Sequence, residues 1–318
     1  MGIKYLNSFL LNNCSKESIN RTSLITFKGK TLVIDTSIYI YQYLSEDSLF
    51  DSFYNMLCVF KQYEITPIFI FDGKPPSEKS SILWERYYKR KDAESKYKEI
   101  IEQIQSQSNT TELEKEKEIE KFTSLKRQFI RVTDDIIQNL KQLFSNFQVQ
   151  YIDALQEADQ LCAYMVKQNL AYGCISDDMD LFAYDCPIVI RKLNLQYHNC
   201  IVYHTNQMKE ELFITDFTSI LALCGTDYSK SITWDIDTVL KRYYFYEDEK
   251  NRNQTNLSFY PWLKEHAFLT NEELDEICHV YNMFQLPNSM NYEMAHSKQH
   301  NWGPIQPILE SHGFIFVD

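Results

Sequence analysis

Thr31-Leu32-Val33-Ile34-Asp35 and Pro67-Ile68-Phe69-Ile70-Phe71-Asp72 are two short apolar runs, each closed by a carboxylate. A third run, Tyr172-Gly173-Cys174-Ile175-Ser176, leads into Asp177 and Asp178. Unbroken apolar runs of this length suit strands buried on both faces. Between the first two, Leu49, Phe53, Leu57 and Phe60 recur at helical spacing. The same period appears in Ile136, Leu140, Leu143, Phe144 and Phe147, within 133–147, and in Leu161, Met165, Val166 and Leu170, within 157–170. Strands alternating with helices predict an α/β fold with a mainly parallel, twisted sheet flanked by helices.

The chain has 318 residues, 44% of them hydrophobic, which is enough for a sizeable core in one large domain or two closely packed ones. The alternation breaks at 77–131, which is charged and rich in helix formers and has a polar tip from Gln103 to Thr111. Two exposed helices that leave the sheet and return account for it. After Asp227 the pattern becomes helical, with Trp234, Trp262 and Trp302 among many aromatics. The expected organisation is a core over 1–227, interrupted by the 77–131 insertion, and a helical region over 228–318.

Several classes are excluded. The 7 glycines include no G-x-G or G-x-x-x-x-G spacing, so a glycine-lined dinucleotide or P-loop site is absent. The 8 cysteines form no C-x-x-C pair, which argues against a zinc ribbon or disulfide framework and for an intracellular chain with reduced thiols. No apolar run reaches the roughly 18 residues that span a bilayer, so no membrane partner is expected.

The net charge of −12 hides an asymmetry: residues 73–131 carry 14 Lys and Arg against 11 Asp and Glu. An acidic chain can hold a basic strip near a carboxylate cluster. Trp84, Tyr87, Tyr88 and Tyr97 are interleaved with the cations of 79–98. That composition suits a nucleic-acid contact as well as a solvated helical face.

Asp35, Asp72, Glu157, Asp159, Asp178, Asp180 and Asp227 fall at strand ends or at the starts of the helices that follow. An Asp there commonly caps a helix. Two local pairs, Glu157-Ala158-Asp159 and Asp178-Met179-Asp180, each place two carboxylates at one helix start. Such a gathering of anions needs cations. Oxygen donors without Cys or His point to Mg²⁺ or Mn²⁺ rather than zinc, and the sequence has no D-x-[DN]-x-[DN]-G calcium loop. Two ions roughly 3.5–4 Å apart are a known arrangement for phosphodiester cleavage.

In this order the motifs resemble the flap endonuclease family of structure-specific 5′ nucleases, the FEN/XPG type. The resemblance runs from Met1-Gly2-Ile3 through Asp35-Thr36-Ser37-Ile38-Tyr39, Phe71-Asp72-Gly73-Lys74-Pro75-Pro76 and Lys79 to Glu157-Ala158-Asp159, Ser176-Asp177-Asp178-Met179-Asp180 and Cys224-Gly225-Thr226-Asp227-Tyr228. Phe122-Thr123 and Val132-Thr133 resemble the far leg of the family's helical arch. The resemblance covers residues 1 to about 232 and implies a PIN-like 5′-nuclease fold.

It also implies two Mg²⁺ ions, with Mn²⁺ able to substitute, held by the seven carboxylates. Lys79 and Arg86 would steer the scissile phosphate, with Arg90 helping, Asp180 would be catalytic, Tyr41 would stack on a base, and Gly2 would lie near the DNA. The implied activity is 5′-flap cleavage of branched or nicked DNA carrying a 5′ single strand, by a monomer. A 5′→3′ exonuclease and a catalytically silent junction-binding protein are the alternatives.

The chain departs from the family in two places. Trp234 and Ile236 stand where a duplex-gripping, potassium-holding hairpin carries glycines, and Asp235 and Asp237 flank them. No sliding-clamp-binding motif is visible, because Gln306 and Leu309 are followed by His312 and Gly313.

Overall fold

The computed structural model describes residues 3–106 and 129–295, together with Leu125, Pro307 and Glu310. The chain divides into two compact units, one of 1–38, 55–75 and 149–297, the other of 39–54, 76–148 and 298–318.

The first unit is built on one sheet. Its strands are β1 (Ile19–Ser23), β2 (Thr31–Asp35), β3 (Thr66–Phe71), β4 (Gln150–Asp153), β5 (Gly173–Ile175), β6 (Ile188–Asn194), β7 (Asn199–His204) and β8 (Met294–Ala295). They lie in the order β1-β7-β6-β5-β2-β3-β4-β8. The five central strands, β6 to β4, pair in parallel. The outer pairings, β1 with β7, β7 with β6, and β4 with β8, are antiparallel. The predicted parallel sheet is therefore present, with antiparallel edges that the sequence does not announce.

Burial explains the order. Leu32, Val33 and Ile34 of β2 are fully buried, as are Cys174 and Ile175 of β5, as expected for strands covered on both faces. From β2 the chain builds outward through β3 to β4, then returns by the helix Ala158–Lys167 to lay β5 on the other side of β2. The gap between the carboxyl ends of β2 and β5 is thus the topological switch point, where open α/β sheets place ligands.

Helix boundaries follow local chemistry. Ala158–Lys167 stops short of the predicted 170 because Asn169 takes a left-handed conformation at φ 58°, a common helix terminator. After the sheet come the helices Ile236–Asn251, Phe259–Glu265 and Asn271–Met283. Asp235 caps the first by accepting from Thr238 N, and Thr270 and Glu273 form a reciprocal capping box on the third. Trp262 is fully buried among them, its ring 5.5 Å from that of Phe245 and 5.7 Å from that of Tyr246. Among the described residues no helix is long and apolar enough to cross a membrane.

The second unit has an aromatic core. Phe53 packs edge-on against Tyr43 at 5.3 Å and Phe144 at 5.5 Å. Thr133 caps the helix Asp134–Asn146, and Asp134 and Asp135 sit in its first turn, where the helix dipole favours anions. The first leg of the predicted helical insertion is the long helix Ser80–Ser106. It is laced by the exposed pairs Glu85–Lys89, Asp92–Lys96 and Glu94–Lys98, each four residues apart with the acid first, the order that supports a helix. Most of the returning leg, including Phe122-Thr123, lies outside the described residues, as do Gly2, Trp302, Gln306, Leu309, His312 and Gly313.

Candidate active site

Asp35 ends β2, in register with Ile70 of β3, and is 6% exposed. Ser176, one residue past β5, donates its hydroxyl to Asp35 Oδ2 at 3.1 Å. The same Ser176 Oγ accepts from Asp178 N at 3.1 Å, and Asp178 Oδ1 accepts from Asp180 N at 3.1 Å. A short run of hydrogen bonds therefore joins the ends of β2 and β5 across the switch point. Asp180 is buried and opens the helix Asp180–Ala183.

Asp72 follows β3 and accepts on Oδ1 from Ala158 N at 2.8 Å, the first residue of the helix Ala158–Lys167. Gly73 makes this approach possible. Its N–H bonds Gln156 O at 2.6 Å, and a Cβ there would meet Ala154 O at 1.9 Å. Glu157 stands at the N-cap of the helix and accepts from the Tyr228 hydroxyl. Tyr228 is next to Asp227, so this bond ties the Asp227 loop to the start of the helix. Asp159, also buried, accepts on Oδ1 from its neighbour Gln160 N at 2.7 Å.

The electrostatics show which acids share a space. Burial raises the Asp35 carboxyl to about 8, and the charges of Asp72 and Asp178 push it the same way, against the bonds from Ser176 and Ser37. The buried thiols of Cys162 and Cys174 feel both Asp35 and Asp159. Tyr184 feels both Asp159 and Glu157. Asp35, Asp72, Asp178, Asp159 and Glu157 thus form one connected field, and Tyr228 joins the Asp227 loop to it. Burial and the Glu157 charge drive the Tyr228 hydroxyl far above its ordinary value, so it stays protonated and donates.

All seven predicted acids fall in the first unit, and six of them stand at or beyond the carboxyl ends of its central strands, whereas Asp227 follows the turn Ala222–Cys224, beyond the helix Phe217–Leu221 and not a strand end. The donor set suits a hard divalent ion. Desolvation raises the Cys162 and Cys174 thiols, so they stay protonated at neutral pH and are no ligands there. The carboxylates are engaged locally by N–H and O–H donors, and among the described residues no three His, Cys, Asp or Glu side chains already stand in metal-holding geometry.

The remaining predicted residues lie in the second unit, apart from Gly2, which falls outside the described residues. Lys79 closes the turn Ser77–Lys79, its N–H bonded to Pro76 O at 3.2 Å. Arg86 and Arg90 are one helical turn apart on Ser80–Ser106, with Arg90 Nε donating to Arg86 O at 3.3 Å. Tyr41, on the helix Thr36–Ser45, is 43% exposed and so is not a core residue.

Ser176 and Tyr228 carry no role in the sequence reading, although both lie inside the quoted motifs. The signal was their position, one residue from a strand end and one residue from an acid. The stretch around Trp234 is engaged by local contacts. Asp235 is spent on its helix cap, and the Arg242 guanidinium lies 3.9 Å from the Trp234 ring and 4.4 Å from that of Phe268.

Family models for the XPG N-terminal domain and the XPG I-region match residues 1–93 and 148–236. Together they match more than half of the chain, which belongs to the XPG family. Human flap endonuclease 1 is 28% identical over 253 residues, covering 73% of this chain and 63% of the relative, so the chain spans somewhat under two thirds of the length of the curated relatives it matches. The catalytic core of Rad2 in complex with DNA substrate superposes with a TM-score of 0.61 at 20% identity, covering 96% of this chain and 93% of that one. Flap endonuclease-1 from Methanococcus jannaschii gives 0.61 at 21% identity, covering 93% and 91%. These likenesses establish the shared α/β fold.

Proposed function

We propose that this protein is a divalent-metal-dependent 5′ nuclease, a 5′-flap endonuclease that hydrolyses phosphodiesters at single-strand/duplex DNA junctions in replication, repair or recombination. The observation that carries the reading is Asp35. It is buried at the switch point of the sheet, and its carboxyl is raised by burial and by the charges of Asp72 and Asp178. Acids concentrated in a desolvated crevice contribute little to stability by themselves and suit hard cations well.

Asp35, Asp72, Glu157, Asp159, Asp178, Asp180 and Asp227 would hold two Mg²⁺ ions, or Mn²⁺ in their place. When bound, such ions supply Lewis-acid stabilisation of charge on the phosphate oxygens and lower the pKa of the attacking water. The chain's own residues orient the acids. Ser176 fixes one oxygen of Asp35, Ala158 N fixes one of Asp72, and Tyr228 fixes one of Glu157. Lys79 and Arg86 offset the phosphate charge, which the acids alone would repel. The protein acts as an intracellular monomer.

A substrate panel tests the reading, using flap, nicked, blunt and RNA-containing strands with and without Mg²⁺. Release of the flap as an intact oligonucleotide, only with metal, is expected. Mononucleotides from a recessed end would establish an exonuclease instead. Junction binding without any turnover in Mg²⁺ or Mn²⁺ would leave only a silent binding protein.

A further inference from the structure

Arg191 is a buried cation, 5% exposed, on β6, the strand that pairs with β5 and so lies beside the loop carrying Asp177 and Asp178. One terminal nitrogen of its guanidinium donates to the Asp177 carbonyl oxygen at 2.9 Å. The other donates to Asn7 Oδ1 at 2.5 Å, and the Tyr203 hydroxyl donates to the same oxygen at 2.8 Å. Nε lies 3.7 Å from Asp177 Oδ1, near enough for an ion pair and too far for a hydrogen bond. Burying a guanidinium is costly, and a buried ion pair is weak evidence of stabilisation. What the planar fork does supply is a fixed direction for the groups it bonds.

One of those groups is half of a peptide unit. The Asp177 carbonyl and the Asp178 N–H belong to the same rigid plane. Arg191 holds its oxygen end, and Ser176 Oγ holds its N–H end at 3.1 Å. A plane held at both ends resists turning, and it carries the Cα of Asp178, whose charge reaches Asp35. Asp178 Oδ1 extends the constraint by accepting from Asp180 N at 3.1 Å.

The backbone of β6 is irregular at this point. It has one residue more than β7 between the pairs Arg191–Ile201 and Asn194–Asn199, which is a β-bulge, and Lys192 takes a left-handed conformation at φ 53°. Both residues at the start of the bulge serve Asp177. The Arg191 side chain takes its carbonyl, and Lys192 N donates to its Oδ1 at 3.0 Å. Backbone strain of this kind persists where the surroundings over-determine it, commonly at functional sites.

We propose that Arg191 is a positioning residue of the candidate metal site: by holding the Asp177–Asp178 peptide it fixes the direction from which Asp178 meets a divalent cation, and through Asn7 it ties that peptide to the helix Leu6–Asn13. The part played by Asp178 rests on the nuclease reading; the hold on the peptide does not. The sign of the effect separates positioning from charge. A nearby guanidinium repels a divalent cation, so a role through charge alone would make its removal tighten metal binding, whereas lost positioning loosens it.

The test compares wild type with Arg191→Met, which is uncharged and of similar reach, and with Arg191→Lys, which keeps the buried charge but not the fork. Mn²⁺ binding to the DNA-free protein, read from the electron paramagnetic resonance of free Mn²⁺, should be roughly 10–100-fold weaker in Arg191→Met. Arg191→Lys, the milder change for folding, should also bind Mn²⁺ more weakly than wild type. Lys192→Met removes only an exposed cation 3.3 Å from Asp177 Oδ2 and should stay close to wild type. Amide hydrogen exchange in EDTA gives a second readout without metal. The Asp178 amide should exchange on the order of tenfold faster in Arg191→Met, beyond any change at the Val33 amide in β2, which reports global opening.

Tighter Mn²⁺ binding in Arg191→Met, or wild-type affinity in Arg191→Lys, overturns the proposal. So does an Asp178 amide that moves no more than that of Val33. Wild type that binds no Mn²⁺ would sink the nuclease reading, while the exchange measurement still decides whether Arg191 holds the peptide, so the two can fail separately.

Discussion

Ser176 donates its hydroxyl to Asp35 Oδ2 at 3.1 Å, joining the ends of two strands that are neighbours in space and far apart in sequence. The bond exists because the chain builds its sheet in both directions from β2. It also explains why a serine, with no charge of its own, is part of an acidic site. Ser176 fixes the most buried oxygen donor on β2 and receives the backbone of Asp178 in return.

Asp180 tests the chemistry. Asp180→Asn keeps the size of the side chain and removes its charge, so the fold should survive. Cleavage of a flap junction in Mg²⁺ should fall by on the order of 10³-fold or more, as expected when a preorganised electrostatic group is lost. Single-turnover assays with circular dichroism as the folding control measure both. Wild-type rates in a folded variant would exclude Asp180 from the machinery.

Asp35 gives a stability prediction with an unusual sign. Without cations the protein holds a buried acid beside two others, so Asp35→Asn relieves both desolvation and repulsion while Ser176 keeps an oxygen to bond. In EDTA the variant should melt higher than wild type, by roughly 2–4 °C for each kcal/mol relieved. Adding Mn²⁺ should raise wild type, by about 2.7 kcal/mol at a hundredfold excess over Kd, and leave the variant nearly unmoved. Identical responses of the two proteins to Mn²⁺ would contradict metal binding at Asp35.

Tyr228 is a positioning residue. Tyr228→Phe removes the donor to Glu157 and leaves the ring packed 5.3 Å from Phe284. Loss of such a supporting bond typically weakens metal affinity or activity 10–100-fold. The expected signature is a shift of the Mg²⁺ titration to higher concentration, with much of the maximal rate recovered at saturation. A fall in rate that no Mg²⁺ concentration restores would assign Tyr228 a different role.

Glu276 sets an acid limit on the loop that follows Asp227. Its oxygens accept from Lys230 N at 2.7 Å, Ser231 N at 2.9 Å and Ser231 Oγ at 2.6 Å. Burial works to raise this carboxyl, but the Ser231 and Lys230 bonds outweigh it and hold it below the ordinary range. A depressed carboxyl adds stability above its unfolded value, about 4.3 for Glu, and that stability is lost as pH falls through the folded value. Glu276→Gln should therefore lower Tm at pH 7, by roughly 1 kcal/mol of stability. The gap to wild type should close as pH drops below about 4.3. A gap that stays constant down to pH 3 would rule out a charge-dependent contribution.

The sequence was most informative where burial is two-sided. β2, β3 and β5 have apolar interiors, and the acids at or after their ends stand out by contrast. β6 and β7 were invisible for the opposite reason. Arg191, Lys192 and Asn194 interrupt the apolar run of β6, yet Arg191 is buried because Asn7 accepts from it at 2.5 Å and the Asp177 carbonyl at 2.9 Å. Asn7 and Arg191 lie far apart in the chain, so no local pattern reports the pairing. Ser176 and Tyr228 were hidden because a neutral donor becomes part of the site only through what it bonds. Around Trp234 the sequence registered the missing glycines, but only the structure supplies the cation–π pair with Arg242 that occupies the place.

The acids of the candidate site enter the chain one after another, from Asp35 to Asp227, and the last of them is anchored by Tyr228. During synthesis the ribosome therefore extrudes a partial chain that lacks the last of these acids until most of the polypeptide has emerged. Under the proposed reading, a nascent fragment would lack its full set of metal-holding acids, and proteolytic clipping ahead of Asp227 would leave the same deficit.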